Sequence, residues 1–390
     1  MTRVTGLRLR THPSTMRALF LHLLATVAQP LVRRANAHPP RRILIIKPDH
    51  LGDLLLATPA LAALRAALPT AHITALVGPW AAPMWQRSPE LDALVTLPFP
   101  AFDRSAAKPS RLAPYLLLLR EALRLRRQRF DAALIMRDDH WWGAALALLA
   151  GIPRRIGFAH PLCRPLLSEA LDYHPRQHVT QQALDLVAAL TGHRPPPAPL
   201  RFSPTPAARE WAAAWHQTHV APNEQLIIIH PGTGGPTKHW LHSYWIALIQ
   251  SLRRPRRRFL LTGSPAEHAA LAALATELPD VSLLSSEMTI DRLAALFAYA
   301  ELVIGVDSGP LHIAVSQGVP TIHLFGPSDP LRFGPWGDGS RHHVLSAGIA
   351  CSPCGVFAAC PRATDPPECM VALTPAHVVA AAETLLATVR

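Results

Sequence analysis

The chain has 390 residues, 49% of them apolar, and its 40 prolines are scattered between apolar segments, which suits two folded domains and argues against a largely disordered protein. Lysines and arginines (38) outnumber acids (26), and the resulting +12 favours an anionic partner such as a nucleotide, a phosphorylated glycan or an anionic lipid surface. No cysteine–histidine finger, basic zipper or aromatic-interleaved basic stripe accompanies that charge, so nucleic acid is not an expected partner, and no apolar run reaches the roughly 18 residues of a membrane span.

Residues 1–41 read as a basic leader. Arginines at 3, 8, 10 and 17 precede the apolar stretch Ala18 to Val32, which His22, Gln29 and Pro30 interrupt, and no convincing cleavage site follows. The leader is either an amphipathic helix touching an anionic membrane face or a basic extension or helix packed on the body.

The continuous apolar run beginning at Arg42 predicts a strand buried on both faces. It ends in Lys47-Pro-Asp-His-Leu-Gly-Asp53, a turn that leads into a helical pattern. His72 to Val77 and Ala93 to Leu97 read as strands, with a helical stretch at Ala81 to Arg87 between them. A helix over Leu112 to Arg129, a strand over Ala132 to Met136, a helix over Trp141 to Ala150 and a short strand at Arg155 to Phe158 follow. A long loop then runs to about Gln177, and Gln181 to Leu190 is helical. This rhythm predicts a parallel sheet with helices on both faces. The proline-rich stretch beginning at Pro195 is a stiff linker that divides a first domain, 42–195, from a second, 196–375, with a final helix over 376–390. The second half repeats the pattern, with strands at Leu226 to His230, Arg258 to Thr262, Leu283 to Leu284, Leu302 to Val306 and Thr321 to Phe325. Two such α/β halves leave a cleft between them, and the carboxyl ends of their strands are where ligands bind.

Three strand ends carry the chemistry. Asp53 stands where a helix begins and is either a base toward a hydroxyl or a helix cap beside the turn residue Asp49. The loop His230-Pro-Gly-Thr-Gly-Gly-Pro-Thr-Lys-His-Trp240 offers Thr233, Gly234, Gly235, Thr237 and Lys238. Close backbone approach and a lysine suit a diphosphate, although the spacing is not that of a P-loop and a plain flexible turn is the alternative. In Val306-Asp-Ser-Gly-Pro-Leu-His312, Ser308 and Gly309 open a helix that can hold an anion, Asp307 can accept from sugar hydroxyls, and His312 either meets phosphate or locks the loop.

Taken with the run from Leu51 to Leu61, Arg155-Ile-Gly, His230-Pro-Gly, Lys238-His-Trp and Leu324-Phe-Gly-Pro, these motifs resemble, in order and spacing over residues 42–389, the bacterial lipopolysaccharide heptosyltransferase family, glycosyltransferase family 9. The resemblance implies a GT-B fold: two Rossmann-like domains whose parallel sheets face across a cleft, with the final helix crossing back onto the first half. It implies an inverting enzyme that takes a heptose from a nucleotide-diphosphate donor, ADP-heptose, to a lipopolysaccharide-core or related glycan or glycolipid hydroxyl. The expected location is the cytoplasm, peripheral on the inner face of the inner membrane. Asp53 matches the family's general base and Lys238 its diphosphate lysine. Asp307, Ser308, Gly309 and His312 match its donor motif, and Glu267 is a candidate partner for the donor ribose. The chain departs from the family at Ile135-Met-Arg-Asp-Asp-His140, where many members read Asp-Leu-Arg-Gly. Asp138, Asp139 and His140 are therefore candidates for acceptor binding. No catalytic metal or other catalytic cofactor is expected, because amides and a lysine can carry the leaving diphosphate. Two rival readings stand beside this one: the same chemistry with another nucleotide sugar or a protein hydroxyl, and a nucleotide-sugar-binding module without catalysis.

Four of the five cysteines, Cys351, Cys354, Cys360 and Cys369, fall within nineteen residues. Four thiolates suit a structural iron or zinc, and a cysteine-rich carboxyl-terminal segment associated with iron occurs in one branch of the resembling family. The alternative is a set of free or partly disulfide-bonded cysteines closing a loop. Cys163, alone on the acceptor side, reads as a small buried residue.

Overall fold

The computed structural model describes residues 15–34, 38–103 and 112–388; the leader's arginines at 3, 8 and 10 lie outside the described residues. Two six-stranded sheets, parallel throughout, organise the chain. The first holds β1 (Arg42–Lys47), β2 (His72–Val77), β3 (Ala93–Thr96), β4 (Ala132–Ile135), β5 (Arg154–Phe158) and β6 (Glu169–Leu171), in the order β3-β2-β1-β4-β5-β6. The second holds β7 (Gln225–His230), β8 (Arg257–Thr262), β9 (Ser282–Leu284), β10 (Leu302–Val306), β11 (Thr321–Phe325) and β12 (His342–Ser346), in the order β12-β11-β10-β7-β8-β9. Both are the doubly wound order, in which the chain reverses direction across the sheet between its first and fourth strands and leaves a crevice there.

The strands that flank each crevice are buried on both faces, which is why they read as unbroken apolar runs: Ile43 to Ile46 and Leu226 to Ile229 are fully buried. One apolar core runs from Ile43 and Leu55 through Leu186 to Ile228 and Leu311, so the halves share packed surface as well as a linker. The helix Thr15–Ala28 belongs to the first half, where Leu21 and Ala28 sink into the same core as Leu118 and Leu125.

Several elements differ from the sequence reading. The helical stretch at 81–87 is a single 3-10 turn, Ala82–Met84, with Pro83 in its first turn. The long loop before Gln177 contains the edge strand β6, too short and too exposed to leave an apolar run. β12 was equally hidden by its two histidines. The final helix, Pro375–Thr388, does not cross back onto the first half. Its buried stripe of Val378, Ala382, Leu385 and Leu386 completes the second half's core, and Arg257 clamps it through Glu383 with contacts of 2.8 and 2.6 Å.

Candidate active site

At the first crevice, β1 runs into Asp49 and the six-residue helix Leu51–Leu56, and β4 runs into Arg137. Lys47 Nζ donates to Asp49 Oδ2 at 3.1 Å, and Arg137 Nη1 donates to Asp49 Oδ1 at 2.6 Å while its Nε donates to Asp139 Oδ1 at 2.6 Å. Burial alone would push the Asp49 carboxyl up, but Lys47 and Arg137 outweigh it and hold it at about 2. Asp49 is thus a fixed anion. Asp53, one helical turn on, has the opposite environment: burial and then the Asp49 charge raise its pKa above the usual carboxylate value, against the pull of Lys47 and Arg137. A carboxylate that holds its proton more tightly is a better base once ionised.

The three acceptor-side candidates fall in different surroundings. Asp139 is tied to Arg137, which keeps its carboxyl low despite partial burial. The Asp138 carbonyl accepts from Cys163 Sγ at 3.4 Å, and burial raises the Cys163 thiol far out of reactive range. His140 is buried among Phe99, Phe102 and Trp142, neither ring nitrogen has a protein partner, and burial drops its pKa to about 3, so it is neutral at physiological pH. Gly143 makes room for this ring, since a Cβ there would fall 2.4 Å from His140 Nδ1.

At the second crevice, the loop after β7 turns through Gly235 into a 3-10 turn, Pro236–Lys238. Lys238 Nζ reaches across to the end of β10 and donates to the Asp307 carbonyl at 2.9 Å and to Asp307 Oδ2 at 3.0 Å. Ser328 Oγ donates to the same carboxylate oxygen, and Thr233 Oγ1 donates to the Asp307 carbonyl at 3.3 Å. The helix Gly309–Ser316 opens here. Ser308 Oγ and His312 Nδ1 are buried without a protein partner, and burial lowers the His312 pKa to about 4. A neutral imidazole and a free hydroxyl at a helix entry suit hydrogen bonding to an anion better than ion pairing. Glu267 lies against the start of the phosphate-type loop: its Oε2 accepts from Ser264 N at 2.8 Å and Ser264 Oγ at 2.7 Å, and a Cβ on Gly232 would fall 2.1 Å from its Oε1. Gly234 lies one residue before Gly235 in the same loop.

The two crevices meet at Gly52 and Gly309. The helices Leu51–Leu56 and Gly309–Ser316 pack on each other so closely that a Cβ on Gly52 would come within 3.2 Å of the Gly309 Cα. Asp53 and Ser308 therefore each stand one residue from the same contact between the halves.

The cysteine-rich segment is where the sequence reading needs correction. Among the described residues no group of three or more histidines, cysteines, aspartates or glutamates is placed to hold a metal ion, which overturns the structural iron or zinc expected at Cys351, Cys354, Cys360 and Cys369. All four are free thiols, ranging from buried Cys369 to exposed Cys354. The segment's contacts with the lysine loop are made by its backbone and one ring. Thr237 Oγ1 donates to the Val356 carbonyl at 2.9 Å, Thr237 N donates to the Phe357 carbonyl at 3.4 Å, and the Phe357 ring lies 5.2 Å from Lys238 Nζ. It braces the lysine loop from outside. Sequence reasoning missed this brace, Ser328 and the Lys47–Asp49–Arg137 network; the lysine and arginine closing β1 and β4 were the only signals for the last.

Two doubly wound domains with a raised carboxylate at one switch point and a lysine, glycine-rich loop and open helix entry at the other define a GT-B glycosyltransferase. The sequence profile of glycosyltransferase family 9 (heptosyltransferase) matches residues 118–358, and the chain belongs to that family. Lipopolysaccharide heptosyltransferase 2 of Escherichia coli K12 is 26% identical over 301 residues, covering 74% of this chain and 84% of that protein. The crystal structure of a family 9 glycosyltransferase from Veillonella parvula superposes with a TM-score of 0.73 at 22% identity, over 91% of this chain and 99% of that one. E. coli ADP-heptose lps heptosyltransferase II gives 0.69 at 20% identity, over 89% and 99%. Glycosyl transfer is the chemistry of this chain.

Proposed function

We propose that this enzyme transfers a heptose from ADP-heptose to a hydroxyl of a lipopolysaccharide core or related envelope glycan, with inversion at the anomeric carbon. The observation that carries the reading is the Gly52–Gly309 contact, which lets a base on one half and a diphosphate-binding surface on the other address the same substrates. Asp53 takes the proton of the acceptor hydroxyl as its oxygen attacks the anomeric carbon from the face opposite the diphosphate. The C–O bond to the diphosphate breaks, and Lys238, the amides of the Thr233–Gly235 loop and Ser308 take up the charge that develops on it. Asp307 holds Lys238 in place and accepts from the sugar, and Glu267 faces the nucleoside. Closure of the two halves aligns the substrates and excludes water that would otherwise hydrolyse the donor.

The names of the relatives, lipopolysaccharide heptosyltransferases 2 and 3, support the heptose and a lipopolysaccharide acceptor. The Asp138-Asp139-His140 departure favours an acceptor whose polar groups differ from theirs. Calorimetric titration with ADP-heptose beside GDP-, UDP- and dTDP-sugars tests the donor. Preference for ADP-heptose supports the reading, preference for another donor keeps the chemistry and discards the heptose, and binding to none favours a protein that has lost catalysis.

A further inference from the structure

Two helices of the first half turn apolar stripes to solvent. On Thr15–Ala28, Leu19, Phe20, Leu23 and Val27 are more than half exposed, while Leu21 and Ala28 on the other side are buried. On Ala113–Arg126, Tyr115, Leu116, Leu119 and Leu123 are exposed, and Leu118, Ala122 and Leu125 face the core. These eight side chains are the majority of the fourteen large apolar residues exposed among the described residues, and the buried sides of the two helices share one apolar core. Both pack on the helix Trp141–Leu149, and Arg126 Nη1 at the end of one donates to the Leu31 carbonyl just beyond the end of the other at 2.9 Å. Scattered leucines on a surface need no explanation, but two stripes on helices that share a core and are tied at one end do.

The charge around the stripes selects the occupant. Arg120, Arg124, Arg126 and Arg127 are exposed on or just after the second helix, and Arg34 follows the first. The only acid among the described residues of the two helices, Glu121, is buried and neutralised by Arg120 Nε at 3.1 Å and Arg124 Nε at 2.6 Å. A leucine-rich face with a basic margin and no free acid matches an anionic bilayer surface, where apolar side chains enter the acyl boundary and arginines stay with the headgroups. Neither helix can span a bilayer. We infer that Thr15–Ala28 and Ala113–Arg126 together form a monotopic seat on an anionic lipid surface. The inference deepens the glycolipid-acceptor reading, since it holds the acceptor half against the membrane that carries such a substrate.

The test is co-sedimentation of the full chain with vesicles of phosphatidylcholine alone or mixed with phosphatidylglycerol. The wild type is expected to pellet with the mixed vesicles and to be released by salt. The double variant Leu119→Glu/Leu123→Glu, altered only at exposed positions, is expected to bind about tenfold more weakly or less, and a Leu23→Glu/Val27→Glu variant likewise. Transfer to a soluble, lipid-free acceptor is scored separately and should be unchanged in both. Failure of that transfer in the wild type, with vesicle binding intact and lost in the variants, counts against the acceptor reading and supports the seat. Unchanged vesicle binding in both variants overturns the seat, as does a wild-type dimer that Leu119→Glu/Leu123→Glu converts to a monomer without vesicle binding by either.

Discussion

Gly52 of the first half and Gly309 of the second touch backbone to backbone: a Cβ on Gly309 would lie 3.2 Å from Gly52 N, and one on Gly52 would lie 3.5 Å from His312 Cδ2. No side chain fits between them, so this contact sets how near the base can come to the donor. Gly52→Ala is expected to push the helices apart by a few tenths of an ångström and to lower kcat on the order of tenfold, because misplacement of reacting groups is costly. Donor affinity, carried by the second half, should change little. Calorimetry beside steady-state kinetics separates the two, and equal losses in both would remove the contact from the account.

Lys238 is held by Asp307, with the Phe357 ring 5.2 Å away. Lys238→Met removes a charge-assisted contact to the leaving diphosphate and is expected to lower kcat/KM by about two to three orders of magnitude. It also leaves the Asp307 carboxylate with Ser328 as its remaining side-chain partner. Phe357→Ala should give a several-fold loss in the same parameter by loosening the lysine, and a wild-type value would show that the brace is only structural.

The paired aspartates give opposite pH signatures. Asp49, at about 2 in the folded protein against 3.8 unfolded, stabilises the fold fully above about pH 4, and that stabilisation is lost as pH falls toward 2. Asp53 is shifted the other way, so its ionised form costs stability once pH rises from 3.8 through its raised folded value. Asp49→Asn removes the like charge that raises Asp53 and leaves Lys47 and Arg137 in place. The acid limb of the kcat/KM profile should therefore move to lower pH. Stability should fall by about 3 kcal/mol, the cost of leaving a buried cation without its partner. A profile that stays put would separate Asp49 from the base.

The sequence carried the architecture where strands are buried on both faces. β10 stands at the predicted residues because nothing polar interrupts it, and β11 does so although His323 lies in its middle. It carried the strand-end motifs too, since glycines and a lysine after an apolar run have few other uses. It did not carry β6 or β12, edge strands with one or both faces wet, nor where the final helix docks, because an apolar stripe does not name its partner. Cysteine spacing misled for a related reason: four thiols close in sequence do not by themselves make a metal-holding group, and the loop's geometry serves Thr237 and Lys238 through Val356 and Phe357. The Lys47–Asp49–Arg137 network depends on β1 and β4 being adjacent, a long-range pairing invisible in local pattern.

The most direct test is Asp53→Asn, assayed for sugar transfer, for nucleotide-sugar binding and for thermal stability. Transfer should fall by about two to four orders of magnitude, with donor affinity retained. The melting temperature near neutral pH should rise, because a buried ionised carboxylate is gone. Transfer at the wild-type rate would contradict Asp53 as the base and with it the account of how the two halves work together.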